Sequence, residues 1–314
     1  MPDDVRPAID PILLKVLDKV PYEMSLDAGV EEARRRLRQL PRRSVHPEVR
    51  VENRAIDGAG GPIGLRIYWP PTDAVLPLVV FFHGGGFVVG DLDTHDAACR
   101  QHAVGADAVV VSVDYRLAPE YPYPAAVDDA WAATQWVARC GDELGADSTR
   151  LAVAGDSAGG TIAAVVAQRA RDNDGPPIAF QLLWYPSTLW DSSLPSFREN
   201  ASAPILGRDE VAMFSRWYAG EVDLSDPPPG MAPGRAKNLA DLPPAYIAVA
   251  GHDPLRDDGI RYGELLAAAG VPVEVHNAET MVHGYVGYAG VVPAATEATD
   301  RGLAALKKAL HSRA

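Results

Sequence analysis

Apolar residues recur along this chain in two rhythms. Short, largely apolar runs fall at 78–82, 108–113, 151–154, 178–184, 246–250 and 271–275. Runs this short and this rich in Val, Leu and Ile suit strands buried on both faces, as in a parallel sheet. Upstream, 49–56 and 63–69 flank Asp57-Gly58-Ala59-Gly60-Gly61-Pro62, which predicts a leading antiparallel hairpin and brings the total to about eight strands. Between these runs, 125–139, 161–171, 257–269 and 295–310 carry helix formers with apolar residues at helical spacing. Strands alternating with helices predict an α/β fold with helices on both faces of the sheet.

Two stretches depart from that alternation. In the first 45 residues, Ile12, Leu13, Val16, Leu17 and Val20 form one apolar stripe, and Val30, Ala33, Leu37 and Leu40 another. From Ser187 to about Ser225 the chain is aromatic-rich and irregular, and Pro227-Pro228-Pro229-Gly230 then supplies turn chemistry. Both read as parts of a cap. The expected division is 1–45 as the N-terminal part of the cap, 46–186 as core, 187–225 as a cap insertion and 226–314 as core continued.

Composition narrows the functions this fold can serve. The chain has 314 residues, enough for one catalytic domain with an accessory part. Its formal net charge of -13 repels phosphate backbones, so no nucleic-acid partner is expected. Cys99 and Cys140 are too few for a disulfide framework or a zinc site and are expected as reduced thiols. The opening Met1-Pro2-Asp3-Asp4 lacks the basic start and apolar stretch of a secretory signal. No apolar run approaches the ~20 residues that span a bilayer. A cytoplasmic location without stable membrane insertion is the expectation.

Candidate chemistry centres on Gly155-Asp156-Ser157-Ala158-Gly159, placed between a predicted strand and an Ala-rich helix. A sharp strand-to-helix turn with small flanking residues would present the Ser157 hydroxyl above the sheet, although a plain turn of the same composition is the alternative. His83-Gly84-Gly85-Gly86-Phe87 follows another buried strand. Its glycines permit N–H groups to converge on a developing oxyanion, with Gly84 and Gly85 as expected donors alongside Ala158. No G-x-x-x-x-G-K-[ST] follows, which disfavours phosphate cradling.

A serine nucleophile needs a base and a group that orients the base. Asp253 and His283 fall in loops after the last two predicted strands, in the order Ser, acid, His. Such loops lie at the carboxyl ends of the strands, where ligands bind in open parallel sheets. His252, His276 and His95 read as solvated surface histidines. Asp257 and Asp258 read as first-turn acids favoured by a helix N-terminus. Asp91, Asp93 and Asp96 around His95 lack a matching distant cluster, so no metal is expected.

Taken together, His83-Gly84-Gly85-Gly86-Phe87-Val88-Val89-Gly90, Asp114-Tyr115-Arg116-Leu117-Ala118-Pro119-Glu120, Pro124-Ala125-Ala126, Gly155-Asp156-Ser157-Ala158-Gly159-Gly160, Asp253-Pro254-Leu255-Arg256-Asp257 and His283-Gly284 resemble the bacterial hormone-sensitive-lipase-like esterases of the α/β-hydrolase superfamily. The resemblance implies an α/β-hydrolase fold with an eight-stranded, mainly parallel sheet and a helical cap. It implies hydrolysis of short- to medium-chain acyl esters through Ser157, His283 and Asp253, with no cofactor. Gly84, Gly85 and Ala158 match its oxyanion hole, while His83, Arg116 and Glu120 match structural positions. Tyr121 and Tyr123 stand where the family often has His and Phe. In the cap, Phe197, Leu206, Phe214, Trp217 and Tyr218, with Phe87 beside the glycines, are the expected substrate-binding residues. A small-molecule ester is the expected partner. An exposed edge strand near 271–275 would allow a homodimer. The competing reading is a ligand-binding protein on a disabled hydrolase scaffold, but here all three triad positions are filled.

Overall fold

The computed structural model describes residues 6–20 and 29–312. Residues 1–5 and 21–28 of the expected N-terminal cap lie outside the described residues. Two helices come first, α1 (Pro11–Lys19) and α2 (Val30–Gln39). Asp10 caps α1 by accepting the N–H groups of Ile12 and Leu13. The expected stripes hold in part: Leu13 and Ala33 are buried, with Val16 and Leu17, and Val30 and Leu37, packed beside them, whereas Ile12 and Val20 of the first stripe are exposed.

The hairpin follows as β1 (Arg50–Gly58) and β2 (Gly61–Trp69), with only Ala59 and Gly60 between them. The remaining strands are β3 (Leu76–Phe82), β4 (Val109–Asp114), β5 (Ala146–Asp156), β6 (Phe180–Trp184), β7 (Ala245–His252) and β8 (Val273–Val282). They form one eight-stranded sheet in the order β1-β2-β4-β3-β5-β6-β7-β8. Only the contacts of β2 with β1 and β4 are antiparallel.

Helices α3 (Asp96–Ala106), α4 (Ala125–Arg139), α5 (Ala158–Asp172), α8 (Arg256–Ala268) and α9 (Pro293–His311) cover the sheet. The period-two alternation of a strand divides the core between its faces. In β3, Leu78, Val80 and Phe82 join the layer under α4, α5 and α8, and Val79 and Phe81 join the layer under α3 and α9. Strands such as β3, buried along their whole length, therefore read as unbroken apolar runs.

Three expectations need correction. Helix α3 carries few large apolar residues and was not predicted. Strand β8 starts two residues later than predicted and runs on to Val282, because an edge strand tolerates polar residues such as Glu274, His276 and Asn277. The stretch 187–225 is not irregular throughout but contains α6 (Pro195–Glu199) and α7 (Arg208–Ala219).

Candidate active site

Strand β5 ends at Asp156 and α5 begins at Ala158, so Ser157 occupies the turn with φ 54° and ψ −119°. A non-glycine residue at positive φ is strained. Here close packing enforces it: a Cβ on Gly155 would strike the Gly159 carbonyl, and one on Gly159 would strike the Phe82 carbonyl. The Ser157 N–H donates to the Trp184 carbonyl at 2.8 Å, tying the turn to β6.

The register of β7 against β8 pairs His252 with Val282. The next residues, Asp253 and His283, therefore leave neighbouring strands at the same level. His283 Nδ1 lies 2.6 Å from Asp253 Oδ2, and His283 Nε2 lies 2.8 Å from Ser157 Oγ. Asp253 is wholly buried, and its Oδ1 accepts the Leu255 N–H at 2.8 Å. A buried carboxylate on Nδ1 fixes the tautomer with Nε2 free to accept the serine proton.

Both segments that depart from the strand–helix alternation fasten the acid loop. Asn200 Nδ2 donates to the Asp253 carbonyl at 3.0 Å, and the Arg6 guanidinium donates to Asn200 Oδ1 at 2.5 Å and the Gly251 carbonyl at 2.6 Å. Asp258, expected as a helix-start charge, is buried and accepts from Thr188, Leu189 and Trp190, fixing the turn that enters the 187–225 stretch. Burial pushes its carboxyl above the ordinary value, against those hydrogen bonds.

The glycine loop departs from expectation at one position. Gly84 donates its N–H to Asp156 Oδ1 at 2.9 Å, so this donor is already engaged, and Gly84 does not line the cavity. The following glycines, Gly85 and Gly86, line the cavity over Ser157 together with Ala158, the first residue of α5. Among the described residues, none accepts the N–H of Gly85, Gly86 or Ala158. Gly85 has φ 117°, and a Cβ there would strike the Val89 carbonyl. His83 is buried under Tyr115, whose ring stacks on it at 4.2 Å and whose hydroxyl donates to the His83 carbonyl at 2.6 Å. Burial, then the neighbouring His95, push the His83 ring down to about 4. His83 is thus a neutral structural member of its loop, as the motif implied.

The cavity has a volume of about 420 Å³, and its wall is mostly apolar. Helices α1 and α2 contribute Val16 and Leu37, and α7 contributes Val211 and Phe214. Of the expected substrate-binding residues, Phe87, Leu206 and Phe214 reach this wall. The other three do not. Tyr218 lies behind Phe87, stacked on it at 3.7 Å; Phe197 packs between Leu206 and Leu255; Trp217 packs against the α4–α5 layer. Aromatic content alone did not separate residues facing the cavity from those that support its wall. His95, read as a surface histidine, also borders the cavity.

A mostly parallel sheet of this order, with serine, acid and histidine on the loops after β5, β7 and β8, defines an α/β hydrolase. The chain belongs to the alpha/beta hydrolase fold family, whose model matches residues 79–287. It is 76% identical over 311 residues to the esterase LipI of Mycobacterium tuberculosis, covering 98% of this chain and 97% of that one. It is 59% identical to the carboxylesterase NlhH of the same species over 317 residues, 99% of each. Among solved structures, a hyperthermophilic esterase from Pyrobaculum calidifontis superimposes with a TM-score of 0.87 at 39% identity, covering 96% of this chain and 99% of that one. These findings bear out the fold and the family resemblance drawn from the motifs.

Proposed function

We propose that this protein is a serine carboxylesterase acting on short- to medium-chain acyl esters. One observation carries the reading: the unbroken chain from Ser157 Oγ through His283 to the buried Asp253, with contacts of 2.8 Å and 2.6 Å. Ser157 attacks the ester carbonyl as His283 Nε2 takes its proton, and Asp253 stabilises the imidazolium that forms. The N–H groups of Gly85, Gly86 and Ala158 hold the tetrahedral oxyanion, with the positive end of α5 behind them. Gly86 replaces the expected Gly84, whose N–H is engaged by Asp156. His283 then protonates the departing alcohol, and water repeats the sequence to release the acid. Every proton is accounted for by the chain and water, so the reaction balances without a cofactor.

The names of the relatives, an esterase and a carboxylesterase, support the same chemistry. The apolar cavity of about 420 Å³ suits a compact acyl ester and would crowd long lipid chains. We assign α1, α2, α6 and α7 to a cap, since α1, α2 and α7 wall the cavity. No helix among the described residues is long and apolar enough to cross a membrane; a cytoplasmic location is our reading. Strand β8 is a sheet edge, and a homodimer paired across it is the assembly we propose, to be checked by light scattering of wild type beside a Val275→Lys variant.

The test is hydrolysis of p-nitrophenyl butyrate by wild type and Ser157→Ala. The variant is expected to lose on the order of 10⁴-fold or more in kcat, and near wild-type turnover would sink the assignment. An aryl-ester series from acetate to palmitate should peak in the short to medium range. A maximum at the longest chains would overturn the size argument.

A further inference from the structure

His95 stands outside the Ser157, His283 and Asp253 set, yet its ring borders the same cavity. One side of the ring is fixed. Thr94 Oγ1 donates its hydrogen to the Asp91 carbonyl at 2.8 Å, so its contact with His95 Nδ1 at 3.0 Å has the ring N–H donating. Nε2 then faces two groups at once, Asp156 Oδ1 at 3.4 Å and the Gly84 nitrogen at 3.3 Å. A ring nitrogen can serve either neighbour: its lone pair accepts from Gly84, and its N–H, when present, donates to Asp156. Gly84 in turn donates to the same Asp156 oxygen at 2.9 Å.

Three segments thus meet at one point. Gly84 opens the glycine loop, Asp156 immediately precedes Ser157, and His95 closes the turn before α3. Only 16% of the His95 side chain and 15% of the Asp156 side chain are exposed, so water is a poor substitute for either partner. Among the described residues, the Gly84 N–H and His95 are the polar contacts of the Asp156 carboxylate. A carboxylate in such surroundings that loses a partner recruits another or shifts toward solvent. Either response moves the Gly84 peptide, and with it the two peptides that follow.

We propose that His95 is a positioning residue for ester hydrolysis. Through Asp156 and Gly84 it sets the distance of the Gly85 and Gly86 N–H groups from the carbonyl attacked by Ser157. The inference rests on the oxyanion reading given above. Donors held at a fixed place count most when charge develops on the oxygen, so the loss should fall on kcat and spare KM.

The experiment measures kcat and KM for p-nitrophenyl butyrate in His95→Leu, His95→Gln, Asp156→Asn and His95→Leu/Asp156→Asn, with circular dichroism and melting to confirm folding. His95→Leu should lose about tenfold or more in kcat with KM within about threefold. His95→Gln, whose amide reaches the same carboxylate, should recover most of that loss. The double variant, which removes the stranded charge, should lose less than the product of the two single losses. Should His95→Leu fail to fold, His95→Asn takes its place, because it can still reach Thr94 but not Asp156. A kcat within threefold of wild type, a loss confined to KM, or glutamine no better than leucine would overturn the proposal. Turnover that survives in Ser157→Ala would instead strike at the esterase reading, whereas activity lost in Ser157→Ala but kept in His95→Leu would be failure of the His95 role alone.

Discussion

The strain at Ser157 belongs to a single residue and can be measured there. At φ 54° and ψ −119° its backbone suits glycine, and neither serine nor alanine relieves it. Ser157→Gly should therefore be more stable than Ser157→Ala by about 1 kcal/mol, despite the greater freedom of glycine in the unfolded chain. Equal chemical-denaturation midpoints would show that the turn stores no such energy. Ser157, Asp253 and His283 were legible in the sequence because strand ends and chain order place them. The free donors of the glycine loop were not, since His83-Gly84-Gly85-Gly86 offers three similar peptides. Which of them is diverted depends on Asp156, 72 positions away. His95 was misread for the same reason: its partner Asp156 comes from a distant segment.

At the level of elements, burial decided what could be read. Strands β3 and β6 are buried along their whole length and stood out as apolar runs, and α4 was predicted residue for residue. Helix α3 was missed because Cys99, His102, Ala103 and Ala106 fill its buried face, giving little apolar contrast. Its His102 accepts the Trp184 indole N–H at 2.9 Å, a use of histidine that hydropathy does not show. The docking of α2 rests on Arg34, which donates to the carbonyls of Val88 and Ala118 at 2.8 and 3.0 Å and pairs with Glu120 at 2.7 Å. Arg34→Met keeps the aliphatic stem but leaves those carbonyls unmatched. Limited proteolysis should then cut within the first 45 residues several times faster than in wild type, with the core fragment intact. An unchanged cleavage rate would mean that apolar packing alone holds α2.

Across the whole molecule, two buried rings couple folding to acidity. His83 and His102 are both pushed down to about 4, chiefly by burial, and so remain neutral in the folded protein at pH values where the unfolded chain binds protons. Their folded values lie below the unfolded ones, so stability falls as pH drops from about 6.5 toward 4. The expected loss is on the order of 2 kcal/mol per ring between pH 7 and pH 5, read from urea midpoints. His252 and His276, lowered by the same cause, act in the same direction, while Asp114 and Asp258, raised by burial, oppose it at lower pH. A flat profile between pH 7 and pH 5 would contradict the burial of both rings.

The placement of the two cysteines gives the protein an internal unfolding clock. Cys99 is sealed between α3 and the sheet, where burial pushes its thiol up to about 12, whereas Cys140 at the end of α4 is partly exposed. A maleimide should therefore count one thiol in the native state, and the second should appear only when α3 lifts from its layer. The slow phase of labelling times that opening without any added probe. If a transition-state mimic held on Ser157 slowed it, the histidine side of the glycine loop and the far helix layer would be shown to open together.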